Sequence, residues 1–170
     1  MDRFFKRLFR TGLVRERPPP PAHGVVDAPA LPRAFRRSLT LRHVDAGSCN
    51  GCELELHAAQ NAHHNLAALG IRFAASPRHS DVLVVTGPVV HNMEKALTAT
   101  HTAMAEPKRV VALGDCACGR GPFAASPACR GSLDRVLRVD ARIAGCPPPP
   151  EDIVAGLRAL ADTEDQGRSE

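Results

Sequence analysis

The run Val82-Leu83-Val84-Val85, bounded by Asp81 and by Thr86-Gly87-Pro88, constrains this 170-residue chain more than any other feature. A strand with one wet face alternates apolar and polar residues, so four apolar residues in a row predict a strand covered on both faces. That environment belongs to parallel sheets wrapped by helices. The rest of the chain supplies the matching alternation. Strands are expected at Ser38 to Val44, Ile71 to Ala75, Asp81 to Thr86, Lys108 to Leu113 and Arg138 to Ala144, with helices at Glu53 to Leu69, Asn92 to Ala105 and Glu151 to Ala161. The fold class is α/β, a parallel sheet flanked by helices. In the first helix Leu54, Ala58, Ala62, Leu66 and Leu69 recur at three or four residues, which predicts the face laid on the sheet, and Gly70 supplies the stop.

Ahead of this domain the character changes. Residues 1 to 42 hold ten Lys/Arg against three acids, whereas the remainder holds twelve against fifteen, so the net charge of +4 sits in the leader. On a helical wheel Phe4, Phe5, Leu8, Phe9 and Leu13 share one half, and Arg3, Lys6, Arg7 and Arg10 share the other. Such a helix suits an anionic membrane surface or a partner's groove; a disordered tail or a targeting-like leader is the plainer alternative. The run Pro18 to Pro21 ends any helix and makes an extended spacer. The organisation expected is a leader and spacer over 1–32, an α/β domain over 33–162 and a polar tail over 163–170. No segment approaches the ~20 apolar residues of a membrane span. Without aromatic interleaving or a recognisable binding motif, the basic leader gives no reason to expect a nucleic-acid partner. The absence of Tyr and Trp excludes any chemistry that needs them.

Six cysteines remain to be explained. Nothing at the amino terminus resembles a secretory signal, so reduced thiols are expected. Three of the expected strands run into cysteine: Val44 leads to Cys49 and Cys52, Leu113 to Cys116, and Ile143 to Cys146. Ligands of parallel α/β sheets bind outside the carboxyl ends of the strands, where four soft thiolates could meet. A C-x-x-C pair alone also suits a thioredoxin-like redox site or a zinc knuckle. The redox reading leaves Cys116 and Cys146 unexplained, and structural zinc usually draws on two compact knuckles. Iron-sulfur clusters accept dispersed single cysteines.

The motifs S-C-N-G-C-E-L-E, D-V-L-V-V-T-G, P-K-R-V-V-A-L-G-D-C-A-C and G-C-P-P-P-P-E together resemble one family over about residues 38 to 160. It is the small cluster-bearing subunit shared by respiratory complex I (the 20 kDa, B-type chain of NADH-quinone oxidoreductase) and group 4 membrane-bound nickel-iron hydrogenases, including formate hydrogenlyase. The complex I proteins carry adjacent cysteines at the first motif, so the C-x-x-C spacing resembles the hydrogenase branch. The resemblance implies a flavodoxin-like sheet and one 4Fe-4S cluster ligated by Cys49, Cys52, Cys116 and Cys146. It implies an electron-transfer subunit of a membrane-associated hydrogenase complex, peripheral on the cytoplasmic face of the cell membrane and not catalytic alone. Its partners would be a large subunit, a ferredoxin-like iron-sulfur subunit and membrane subunits.

Glu55 matches an acidic residue of both branches, three positions after the second cysteine. It is a candidate for proton uptake coupled to cluster reduction, because nearby negative charge favours a protonated carboxyl. The plain alternative is a solvated acid favoured by the helix dipole. Cys118 is expected to be a non-ligand near the cluster and Cys129 a plain thiol. Arg120 replaces a usual glycine and Pro149 a commonly basic residue; Arg120 would hydrogen-bond cluster sulfide or point to solvent. His57, His63 and His64 are expected on the first helix, with His43, His79, His91 and His101 scattered; none has ligand spacing with the cysteines. Met93 is expected to pack. The alternatives are a quinone-reducing complex I-type assembly and a structural zinc module.

Overall fold

A computed structural model describes residues 38–162; the leader, the spacer, the first residues of the expected domain and the polar tail lie outside the described residues. Five strands alternate with three helices: β1 (Leu39–Asp45), α1 (Gly51–Ala58), β2 (Ile71–Phe73), β3 (Val82–Thr86), α2 (His91–Ala103), β4 (Arg109–Leu113), β5 (Ala141–Ile143) and α3 (Pro150–Asp162). Every strand pairing is parallel, and the spatial order is β2-β1-β3-β4-β5. This is the flavodoxin-like order, in which the direction of winding reverses between β1 and β3.

The apolar run behaves as its composition requires, with all five residues of β3 buried. Its side chains alternate between two cores, because successive Cβ atoms leave a strand on opposite faces. Val82 and Val84, with Val111, Leu113, Ala141 and Ile143, meet Leu56 and Ala59 from the first helical segment and Ile153, Leu157 and Leu160 of α3. Leu83 and Val85, with Val110 and Ala112, meet Leu97 of α2 together with Met104, Leu133 and Leu137. Met93 packs against this second core, as expected. Among the described residues no helix is long and apolar enough to cross a membrane.

The first helix differs from the expected one in length and in face. It ends at Ala58, and a separate 3-10 turn covers Leu66–Leu69. The asparagines between them cause the break. Asn61 Oδ1 accepts the His63 and His64 N–H groups at 2.8 and 3.0 Å, and Asn65 takes a left-handed conformation while its side chain accepts the Ala68 N–H. Short side chains of this kind offer backbone donors an alternative to the helix ladder. His63 and His64 therefore sit in the turn, not on the helix. Gly70 caps the 3-10 turn.

Of the expected sheet-facing set only Leu66 is buried, whereas Leu54 is 61% exposed. Cys52, Glu53, Leu56 and Ala59 take that face instead. The edge strand β5 is shorter than expected because Asp140 Oδ2 accepts the Val110 N–H at 2.8 Å, a side chain standing where a strand carbonyl would. Leu56→Ala should cost about 2–5 kcal/mol of stability and Leu54→Ala less than about 0.5 kcal/mol. Urea unfolding of the two variants distinguishes this helix face from the one the apolar spacing suggests.

Candidate metal centre

The loop leaving β1 is stitched by its own side chains. Asp45 Oδ1 accepts the Gly47 and Ser48 N–H groups at 2.8 and 2.7 Å, and Ser48 Oγ accepts the Asn50 N–H at 3.0 Å. Asn50 takes a left-handed conformation, so α1 begins at Gly51 and Cys52 falls in its first turn. Cys49 remains exposed while Cys52 is buried.

The loops leaving β4 and β5 run together. Gly114 donates its N–H to Ile143 O at 2.7 Å, and Asp115 donates to Gly145 O at 2.8 Å, which continues the ladder past the strand ends. Cys116 is half-buried and Cys146 exposed. Gly114 has φ +88°, and a Cβ there would lie 2.4 Å from Cys52 Sγ. A Cβ at Gly121 would lie 2.3 Å from Cys116 Sγ. Both positions exclude a side chain because they form the wall against which the sulfurs rest.

The four expected cysteines thus occupy one edge. Burial pushes the Cys52 thiol up to about 12, reinforced by the charges of Glu53, Cys116, Cys49 and Cys146 in that order. Burial likewise raises Cys116, with Cys146 and Cys49 the next contributors. Cys52 and Cys116 are thus each within electrostatic reach of Cys49 and Cys146, and Cys52 also of Cys116. Among the described residues no three His, Cys, Asp or Glu side chains are grouped as ligands of a single metal ion. A zinc shell would need the sulfurs drawn to about 2.3 Å from one centre. A cluster spreads its ligands over several irons, so the donor chemistry and the glycine-walled cradle fit an iron-sulfur group.

Sequence reasoning missed the polar network beside Cys52. Glu53 is buried, and its carboxylate accepts hydrogen bonds from Ser48 Oγ at 2.5 Å and from Thr86 Oγ1 at the end of β3. His43 Nε2 lies 3.0 Å from Thr86 Oγ1 and 3.7 Å from Glu53 Oε1. Burial holds the His43 imidazole below its usual range, against the opposing pull of Glu53 and Asp45. Ser48 precedes Cys49 and Glu53 follows Cys52, so this network brackets the C-x-x-C segment. The available signal was helical spacing: Glu53 lies three residues before Leu56 and so shares its inward face. Glu55 is half-buried on the same helix.

The surplus thiols have other neighbours. Cys118 packs against the second core and is hydrogen-bonded by Arg120, whose side chain is otherwise exposed. Cys129 is half-buried in a bridge to Val90.

A doubly wound sheet with a thiol-lined carboxyl edge defines an α/β protein equipped for a metal-sulfur centre. The chain belongs to the family described as NADH ubiquinone oxidoreductase, 20 Kd subunit, which it matches over residues 49–160. It is 40% identical over 121 residues to the probable membrane-bound hydrogenase subunit mbhJ of Pyrococcus furiosus, covering 71% of this chain and 72% of that protein. It is 41% identical over 111 residues to the B-type chain of the NADH-quinone oxidoreductase of Geotalea uraniireducens, covering 65% of each. A chain of the membrane-bound sulfane sulfur reductase, an archaeal respiratory membrane complex, superposes with a TM-score of 0.68 at 30% identity, covering 79% of this chain and 74% of that one. These relatives are subunits of oxidoreductase complexes, as the motifs led us to expect.

Thiol reactivity follows thiolate fraction and exposure. In the metal-free chain at pH 8, alkylation followed by mass spectrometry should label Cys49 and Cys146 first. Cys52 should react last, its raised pKa leaving almost no thiolate below about pH 10. Equal rates at all four positions would contradict this arrangement.

Proposed function

We propose that the chain carries one 4Fe-4S cluster on Cys49, Cys52, Cys116 and Cys146 and serves as an electron-transfer subunit of a membrane-associated nickel-iron hydrogenase complex. The observation that carries the reading is the gathering of four thiols against a glycine wall, with Gly114 pressed on Cys52 Sγ. Bound there, the cluster would supply one-electron chemistry at a potential set by its hydrogen bonds, charge and exposure. The chain's own contribution is to fix the ligands and to hold Glu53 and His43 in a desolvated network beside Cys52. The C-x-x-C spacing and the likeness to a hydrogenase subunit support the hydrogenase assembly. A large subunit, a ferredoxin-like subunit and membrane subunits would complete it. The location proposed is peripheral, on the cytoplasmic face of the membrane, with residues 1–14 as the attachment element.

A second reading, supported by the 41% identity to an NADH-quinone oxidoreductase chain, is a complex I-type assembly that reduces quinone. Metal analysis of the complex captured anaerobically through this chain separates the two, since only the first has nickel in its large subunit. In the isolated chain about four iron and four acid-labile sulfides are expected, with a paramagnetic signal on one-electron reduction. Zinc bound without iron or sulfide would instead establish the structural zinc module. Deletion of residues 1–14 should lower recovery of this chain with the membrane fraction, and unchanged recovery would remove the leader from that role.

We further propose Glu55 as the acid that takes up a proton when the cluster is reduced. Glu55→Gln should flatten the pH dependence of the midpoint potential while leaving iron content unchanged, as redox titration at several pH values would register. An unchanged slope would remove Glu55 from this role.

A further inference from the structure

The two halves of the cysteine set are held together by different means. Cys49 and Cys52 lie in one segment, tied to its own backbone by Asp45 and Ser48, with the Ser48 hydroxyl also donating to the Glu53 side chain. Cys116 and Cys146 stand thirty residues apart, on loops that meet only because β4 and β5 are neighbours. β5 has three residues and pairs with β4 alone, so the loop beyond it has one strand to lean on. The residue before Cys116 is Asp115, and the residue before Cys146 is Gly145. These two are joined reciprocally: Asp115 N–H donates to Gly145 O at 2.8 Å, and Gly145 N–H donates to Asp115 Oδ1 at 3.0 Å.

Asp115 is itself firmly placed. Its carbonyl oxygen accepts the N–H groups of both Arg120 and Gly121, at 2.8 and 2.9 Å, so the backbone on its carboxyl side turns around it. Its carboxylate is therefore a short arm on a fixed pivot, reaching the one backbone donor that fixes the orientation of the Cys146 loop. The backbone half of the pair would survive loss of the side chain. The carboxylate half would not, and Gly145 would then be free to rotate about the remaining bond.

We propose that Asp115 is a positioning residue for the metal centre: its carboxylate latches the Cys146 loop to the Cys116 loop and so sets the separation of the two ligands contributed by different strands. This rests on the cluster reading above and assigns a role to a residue that is not itself one of the four ligands. Reach and acceptor geometry should matter here, not charge, because the partner is a neutral backbone N–H.

The full chain, loaded anaerobically with iron and sulfide, tests this with three variants. Asp115→Asn keeps an acceptor oxygen at the same reach and loses the charge. Asp115→Glu keeps the charge and lengthens the arm. Asp115→Ala removes both. The latch predicts that the alanine and glutamate variants lose iron to a chelator about 10- to 100-fold more readily and show altered paramagnetic g-values, while the asparagine variant matches the wild type. Retention by Asp115→Glu with loss in Asp115→Asn would make charge the operative property and overturn the latch, as would wild-type retention in all three. If the alanine variant does not fold, the asparagine and glutamate pair still decides. A wild-type chain that takes up no iron and sulfide would overturn the cluster reading and this one with it.

Discussion

Burial of β3 on both faces governs the rest of the molecule. A strand with no wet side needs a helix layer above and below, and parallel neighbours reached by crossover helices are the arrangement that supplies both. The same arrangement sends every strand out at one edge. Past that edge, once the bonds from Gly114 and Asp115 are made, regular pairing ends and the loops need other partners for their backbone donors. Carboxylates provide them. Asp45 holds the β1 loop and Asp115 the β5 loop, while Asp81 Oδ2 takes the Thr40 N–H at 2.9 Å and Asp140 takes that of Val110 at the opposite ends of the strands. Short acids thus finish the sheet at both edges, where regular pairing cannot.

Those acids have an electrostatic consequence at the cysteine edge. Glu53 and the neighbouring sulfurs all disfavour a thiolate at Cys52, in addition to its burial. Metal binding requires deprotonated ligands, so loading must expel protons from this edge. Four thiolates beside a buried carboxylate would be costly without a cationic core, and an iron-sulfur core offsets that charge. Burial of Cys52 thus opposes its thiolate until such a core is bound. Glu53 is held by hydroxyl donors from Ser48 and Thr86, whose loss would leave a buried acceptor unsatisfied at a cost of about 1–3 kcal/mol.

The legible parts of the sequence were those fixed by period and by strand ends. The apolar run of β3, the helix-strand alternation and the position of cysteine just beyond β1, β4 and β5 all follow from side chains that alternate in or out. The features that stayed hidden depend on one-residue register. Leu54 shares helical spacing with Leu66, yet the left-handed Asn50 starts α1 at Gly51 and turns Cys52, Glu53 and Leu56 inward. Periodicity alone weighs Leu above Glu, so the inward acid was passed over for the motif-matched Glu55. Asn61 and Asn65 had the means to end the helix, but their effect depends on local hydrogen bonds that an apolar count does not register.

The asymmetry of the edge bears on how such a centre would be used. Cys52 is 9% exposed and walled by Gly114, whereas Cys49 and Cys146 are open. Leu54 and Phe123 add exposed apolar surface, and Phe123 hydrogen-bonds Cys116 through its backbone. Isolated apolar side chains on a surface need no explanation, but Phe123 stands next to one of the four edge cysteines. A centre sunk deep on all sides would lie farther from any partner's centre, and electron transfer slows steeply with distance. One closed against its own sheet and open elsewhere leaves its outer side to be covered by another subunit, which would exclude water and bring a second centre near. On the function proposed above, the fold would complete one side of the enclosure and the assembly the other.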